Sequence, residues 1–333
     1  MPQVVVGLDL HLKKTEGTVM SLEGKILRQG KFSTSKEDLR GFLRGLPRGT
    51  KVALESVGFC WPWIDFIEEL GHVPLLVNPI RLKQRAEDVK TDKVDSELLA
   101  HLTRMDWLPT CYVPDKEMRW LRNLLRHRAF RKKISTAIKN RIRSELRKRD
   151  VKIEGSLGTR KWREKAHQLG IYEVSQNLQI LELLEGQVKQ IEAELRERYG
   201  DLKPVKLLES IPGIGFIIAL TLYAEICDIK RFQSPEKLAH YSGLVPRVKQ
   251  SSEHTMYGRE AKANRWLKWA FIEAAWSHIN WCPEGRLAKV FESAYKRKKD
   301  KKKAIKIVAR KLVDIVWAVW THEEEFKVMP DEA

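Results

Sequence analysis

Residues 3–10 read QVVVGLDL: three valines, a glycine, then Leu8, Asp9 and Leu10. So short an apolar run, bearing one acid near its end, has the length and composition of a buried strand rather than a helix. Working outward, Thr15–Met20 and Lys25–Phe32 continue as short strands around a turn at Gly24, and Lys36–Gly45 has helical spacing. Lys51–Glu55 (KVALE) is another buried strand ending on an acid, and a helix follows near Trp61–Leu70. His72–Val77 (HVPLLV) is a further strand, closed by a turn at Asn78-Pro79. Pro74 has no N–H for a ladder, so that strand lies at a sheet edge or begins irregularly. Strands alternating with helices over about 100 residues predict an α/β sheet domain. Asp92-Lys93-Val94-Asp95 then opens a helix to about Arg104, with both acids in the first turn, where the helix dipole favours negative charge.

From Asp115 to Arg149 there is neither Pro nor Gly, and charged and apolar residues alternate at helical spacing, which predicts one long basic helix. Gly155 and Gly158 interrupt it. A second long helix runs from Val174 to Tyr199, with Leu181, Leu184, Val188, Ile191 and Leu195 stepping as a heptad seam. The pair predicts a coiled-coil arm, and such a seam serves either oligomerisation or pairing within the chain. Residues 201–333 read as mainly helical. There, Lys206–Ser210, the turn Ile211-Pro-Gly-Ile-Gly215 and Phe216–Ile226 fit helix–hairpin–helix, and Asn264–Trp276 and Ala304–Trp320 are further helices. The expected division is 1–110, 111–200 and 201–333.

The chain has 333 residues, with 62 Lys and Arg against 44 Asp and Glu, a formal net charge of +18. The excess is uneven: residues 1–110 carry a net +1, residues 111–150 carry +10, 151–200 balance, and 201–333 carry +7. A polyanionic partner is expected, held chiefly by the basic helix. Arg122, Arg126, Arg131, Lys132, Lys139 and Arg143 are its candidate contacts. The longest uncharged run, Ser210–Ala224, is broken by Pro212, Gly213 and Gly215 and is too short for a membrane span. Asp9 inside the first apolar stretch argues against a signal peptide. Cys60, Cys111, Cys227 and Cys282 are far apart with no CxxC, which argues against a disulfide scaffold or a zinc site and fits a reducing cytosol.

The near-neutral first 110 residues hold the acids. Asp9 and Glu55 lie at strand ends, and Asp92 and Asp95 share one helix face. If sheet edge and helix meet, four carboxylates converge and repel unless cations lie among them. Hard oxygen ligands then indicate Mg²⁺ or Mn²⁺, the metals of phosphoryl transfer. The plainer reading is a helix cap at Asp92 and Asp95 with incidental acids elsewhere. At Ile211–Gly215, Gly213 and Gly215 permit close backbone approach, either to a phosphate at the following helix N-terminus or to neighbouring protein. Gln250-Ser251-Ser252-Glu253-His254 is read as a polar loop. Serine there needs activation to act as a nucleophile; Arg247, Lys249, Arg259 and Lys262 can stabilise developing phosphoryl charge, and His254 can move a proton. Trp266, Trp269, Trp276, Trp317 and Trp320 fit core packing or, interleaved with bases, nucleobase stacking.

VGLDLH (6–11), ALES (53–56), VNPIR (77–81), KTDKVDSELLA (90–100), IPGIG (211–215), RFQSPEKLAHYSGLVP (231–246) and WAFIEAAW (269–276) occur in the order found in DEDD transposases. Over nearly its whole length the chain resembles that family, the insertion-sequence one-ten family of bacterial recombinases, to which a pilin-gene invertase is related. The resemblance implies an α/β RuvC-like (RNase H-like) catalytic domain, a helical coiled-coil arm and a mainly α C-terminal transposase domain with helix–hairpin–helix. It implies that Asp9, Glu55, Asp92 and Asp95 are the four metal-binding acids and that Ser251 is the serine that links covalently to DNA. Ser252 stands where the family usually has glycine, and Ala263-Asn264 where it has Gly-Asn. The resemblance also implies donor and target DNA, a structured non-coding guide RNA from the element, and a nucleoid-associated cytoplasmic protein. The heptad seam and paired strand cleavage together imply a homo-oligomer, dimer or tetramer. The rival readings are a RuvC-like metal-dependent junction endonuclease, which needs the acids but no serine, and an inert nucleic-acid-binding scaffold.

Overall fold

β1 (Val4–Leu10) is the middle strand of a five-stranded sheet ordered β3-β2-β1-β4-β5. β2 (Lys14–Ser21) runs antiparallel to β1, and β3 (Ile26–Ser33) antiparallel to β2, while β4 (Lys51–Glu55) and β5 (Val73–Val77) continue the sheet in parallel. The computed structural model describes residues 3–82, 92–251, 254–260 and 263–327, with the backbone alone for 247–251 and 254–260. Two compact units result, Met1–Val113 and Pro114–Ala333. The first is an α/β sheet unit and the second is mostly helical, as expected.

A middle strand covered on both faces must be apolar throughout, which is why QVVVGLDL shows no alternation. On one face Val6, Leu8, Val52 and Leu54 pack with Leu39 and Leu43 of α1 (Lys36–Leu43) and Ile64 and Ile67 of α2 (Trp61–Glu69). β5 is the edge strand, the place predicted from Pro74. Asn78-Pro79 is more than a turn. It begins a short helix, α3 (Pro79–Leu82), because the Asn78 side chain accepts from the N–H groups of Ile80 (3.0 Å) and Arg81 (3.3 Å) and proline suits a first helical position.

α4 (Asp92–Arg104) covers the other face. It lies so close over β1 that a Cβ on Gly7 would stand 2.1 Å from the Ser96 carbonyl oxygen and 2.6 Å from the Ala100 nitrogen. Small Ala53 and Ala100 complete this thin interface, and the buried hydroxyls of Thr18 and Ser96 hydrogen-bond across it at 2.9 Å. The sequence of β1 therefore determines where the first turn of α4 comes to rest.

In the second unit, α5 (Lys116–Arg147) and α7 (Tyr172–Tyr199) lie antiparallel. Their direction follows from the ion pairs Arg128–Glu192 (2.8 Å), Lys139–Glu185 (3.0 Å) and Arg149–Glu173 (3.1 Å), whose numbers rise on one helix as they fall on the other. Leu181, Leu184, Val188 and Leu195 are buried, so α5 of the same chain already fills the heptad seam. That removes the seam as a surface for a second copy. α6 (Arg160–Gln168) escapes the sequence reading, because Trp162 and Ala166 are its only buried side chains.

The far end of the α5–α7 pair has a cluster of its own around Ile142, Trp162 and Leu178, while its near end packs into the rest of this unit. Leu121 and Leu125 of α5 and Leu195 and Tyr199 of α7 belong to one core with α8 (Lys203–Glu209), α9 (Phe216–Ile226), α10 (Pro235–Tyr241), α11 (Arg265–Trp281), α12 (Arg286–Lys298) and α13 (Lys301–His322). Burial, with the Glu117 carboxylate nearby, pushes the Tyr199 phenol up from 10.0 to about 12. A phenol raised in the folded state stabilises the fold fully below its unfolded value, and that contribution disappears as pH rises through the folded one. Thermal melts between pH 10 and about 12 will therefore fall more steeply for the wild type than for Tyr199→Phe.

The polar stretch after Pro246 is not a loop. β6 (Pro246–Ser251) and β7 (His254–Glu260) form an antiparallel hairpin pairing Val248 with Tyr257 and Ser251 with His254. The β-branched and aromatic residues among the charges account for the strands.

Candidate active site

The close approach at Gly7 brings the start of α4 to the C-terminal end of β1, where Asp9 lies. Asp9 is only 13% exposed, and the imidazole Nε2 of His11 lies 3.0 Å from its Oδ2 and 3.5 Å from Asp92 Oδ1. Asp9, His11 and Asp92 each offer a ligand atom within 4.8 Å of the others. Glu55 lies one register step beyond the Leu8–Leu54 pair of neighbouring parallel strands, so it projects on the same face as Asp9. Asp95 follows Asp92 by about one helical turn, and its charge reaches Asp9.

The electrostatics are those of crowded acids. Burial raises the Asp9 carboxyl above its ordinary value, the charges of Asp92 and Asp95 add to the rise, and His11 opposes it. Asp92 is lowered instead, because the Lys31 ammonium donates to its Oδ2 at 2.7 Å and adds its charge, with His11 contributing. Lys31 is raised by the same interaction. The cluster thus gathers negative charge at the C-terminal end of β1, held by the Lys31 ammonium and by the hydrogen bond between His11 and Asp9. A largely buried carboxylate, Asp9, beside a half-exposed one, Asp92, fits a hard divalent cation. His11 is 57% exposed.

The sequence reading did not single out His11 or Lys31. His11 was legible as the second residue after Asp9, beyond the strand end. Lys31 was not: it reaches the site through register alone, since Lys31 pairs with Glu16 and Glu16 with Asp9 across three strands.

Ser251 closes β6 opposite His254 and belongs to the second unit. Lys249 lies on the same strand opposite Met256. The side chains of Ser251, Lys249, Arg247, His254 and Arg259 lie outside the described ones, as do residues Ser252 and Lys262 altogether.

Just past the hairpin, Asn264 caps α11 by accepting from Trp266 N (3.0 Å) and Leu267 N (3.2 Å), and its amide donates to Glu225 Oε2 at 2.8 Å. Glu225 is 3% exposed, on an otherwise apolar helix, and it also receives Arg126 at 2.9 Å and faces Arg122 at 3.5 Å. One buried carboxylate therefore joins the basic helix, α9 and the hairpin exit. Glu225→Gln keeps the shape but strips charge from beside the nearly buried Arg122; a loss of about 1–3 kcal/mol in denaturant unfolding is expected.

The candidate nucleic-acid contacts divide accordingly. Arg122 donates to the carbonyls of Ala224 (2.8 Å) and Glu225 (3.1 Å), and Lys139 is paired with Glu185, so protein groups occupy both. Lys132 and Arg143 are exposed, and Arg131 is partly so. Gly213, with φ +88°, makes its close approach to protein: an added Cβ would lie 2.4 Å from the His278 nitrogen on α11. Gly215 caps α9 and has open space where a side chain would be. Among the tryptophans, Trp276 packs on Phe291 and Trp320 on Tyr223, whereas Trp269 is 38% exposed. No helix among the described residues is long and apolar enough to cross a membrane.

Comparison with known proteins finds two family matches. A transposase model for the DEDD domain of IS110 elements matches residues 6–149, and the model described as Transposase IS116/IS110/IS902 family matches residues 205–296. The chain is 24% identical to the transposase for insertion sequence element IS1328 of Yersinia enterocolitica, across 98% of this chain and 99% of that protein. It is 24% identical to the transposase for IS1111A of Coxiella burnetii, covering 83% and 79%. It is 29% identical to the pilin gene-inverting protein of Moraxella bovis, covering 83% and 81%.

Proposed function

We propose, from the premise that this chain belongs to the IS110 family of transposases and is an enzyme of DNA transposition, that it cuts and rejoins DNA at specific sites through a phosphoserine link. The observation that carries the reading is the meeting of Asp9 and Asp92 at the edge of the sheet, with Glu55 on the same face and Asp95 one helical turn on. The sheet unit is read as RuvC-like, α5 and α7 as a coiled-coil arm, and α8 with α9 as helix–hairpin–helix.

In this account Asp9, Glu55, Asp92 and Asp95 would hold Mg²⁺ or Mn²⁺, which would supply Lewis-acid stabilisation of a scissile phosphate. Lys31, paired with Asp92, and His11, hydrogen-bonded to Asp9, would give way to the ion. Ser251 Oγ gives up its proton and bonds to phosphorus, while the P–O bond to the deoxyribose oxygen breaks and that oxygen takes up a proton. A deoxyribose hydroxyl of the incoming strand then attacks the phosphoserine and releases the serine. One ester is exchanged for another, so no water is consumed and no free end accumulates. Exchange between two duplexes needs at least two serines, which supports a dimer or tetramer. A structured non-coding RNA that pairs with donor and target DNA is proposed from the family resemblance, with Arg131, Lys132, Arg143, Lys249 and Gly215 as nucleic-acid contacts.

The test separates binding from chemistry. Asp9→Asn should leave DNA affinity within about twofold, since Asp9 does not touch the phosphates that supply it. It should lower strand cleavage by more than the roughly hundredfold that loss of an outer-shell partner costs a metal site. Equal cleavage by the variant would remove the acids from the mechanism. Conversely, neutralising Lys132 and Arg143 together should weaken binding and reduce the salt slope by about 0.9 for each phosphate no longer neutralised, as measured by titration at several salt concentrations.

A further inference from the structure

Between α5 and α11 lies an open hollow of about 700 Å³ whose floor is aromatic and whose rim is basic. Phe130 is 55% exposed and Trp269 38% exposed, and here the two rings line one hollow rather than standing singly. Trp266 completes the floor. Its ring meets Trp269 edge-on at 6.2 Å, with Arg126 and Arg265 guanidinium carbons each 5.7 Å from its centroid. Glu225 holds Arg126 by its 2.9 Å ion pair, so one wall of the hollow is fixed by a buried carboxylate. Lys132, Lys133 and Arg265 are exposed at the rim.

A surface that met only phosphates would need the bases and not the rings; the rings add value only where a flat apolar group can stack on them. Unpaired nucleotides offer both, a π-face for Trp269 and Phe130 and a phosphate for the rim, whereas the bases of a duplex are already stacked on one another. We propose that this hollow seats unpaired bases of a single nucleic-acid strand. The proposal rests on the reading that the chain handles nucleic acid, and it assigns the DNA strand opened during exchange to a place on α5 and α11. A peptide partner with acidic and aromatic residues is the competing occupant.

The experiment titrates the full chain with a short fluorescent oligothymidine and with an oligomer of equal length and charge whose bases are absent. Wild type should bind the base-bearing strand about tenfold more tightly, the scale of a single base stacked on an aromatic ring. Trp269→Ala and Phe130→Ala should each remove most of that preference while leaving the abasic strand unchanged, and Trp269→Phe should restore it. Because both side chains are exposed, unchanged thermal melts will show that the variants are folded. Equal affinity of wild type for the two strands would overturn the pocket while leaving nucleic-acid binding intact. No binding of either strand, or of duplex, would overturn both the pocket and the functional reading.

Discussion

Gly7→Ala will dislodge α4 and with it half of the acidic cluster. A single methyl group would stand 2.1 Å from the Ser96 carbonyl oxygen and 2.6 Å from the Ala100 nitrogen, and both are backbone atoms of one helix. No rotamer change relieves such a clash, so the helix must move. It is held by the buried Thr18–Ser96 hydrogen bond and by Leu99 and Ala100, which are fully buried against the sheet. The expected cost exceeds about 4 kcal/mol, the range reached only by core disruption. Any folded remainder should have Asp92 displaced from Asp9 and a lowered affinity for Mn²⁺. Gly30→Ala is the control. Gly30 lies on β3 with nothing within 4 Å of an added Cβ, so the same substitution there should change stability by less than about 0.5 kcal/mol. Comparable losses at the two positions, measured by denaturant unfolding, would refute the role given to Gly7.

Ser251→Ala carries the largest expected effect on activity. Alanine removes the proposed nucleophile and keeps the backbone of the β6–β7 hairpin, so DNA affinity and thermal stability should hold. Recombination should fall by about 10⁴-fold or more, the scale at which loss of a covalent nucleophile is felt. Ser252→Ala should retain activity. The opposite result, with Ser251→Ala active and Ser252→Ala dead, would move the nucleophile by one residue. Full activity in both would end the covalent mechanism.

Much of the sheet unit was legible because its strands announce themselves. QVVVGLDL and KVALE are too short and too apolar for helices, and Pro74 leaves only an edge or an irregular strand start, of which β5 takes the edge. The four acids could be picked out from strand ends and one helical turn. What brings Asp92 to Asp9 could not, since it depends on Gly7 admitting α4 to van der Waals distance. Register also hid Lys31, whose place beside Asp92 passes through Glu16 on an intervening strand. In the helical unit, a net charge of +10 over residues 111–150 suggested a nucleic-acid cradle. Charge counting cannot see partners distant in sequence, and Glu225 and Glu185 engage Arg126, Arg122 and Lys139 internally. The heptad seam was visible; its partner, the antiparallel α5, was a matter of chain path. The hairpin at Ser251 was misread as a loop because charged residues mask its paired Val248 and Tyr257. Glu225 was overlooked for a related reason, as a lone acid in an apolar helix that only its buried partners explain.

The central claim is that the acids and Ser251 act in one transesterification. It is tested most directly by incubating the protein with end-labelled DNA and Mg²⁺, denaturing the mixture and mapping any protein–DNA adduct by mass spectrometry. The account predicts an adduct on the peptide containing Ser251 in wild type and none in Ser251→Ala or Asp92→Asn. Cleaved DNA with free ends and no adduct would instead identify a metal-dependent hydrolase and contradict the account.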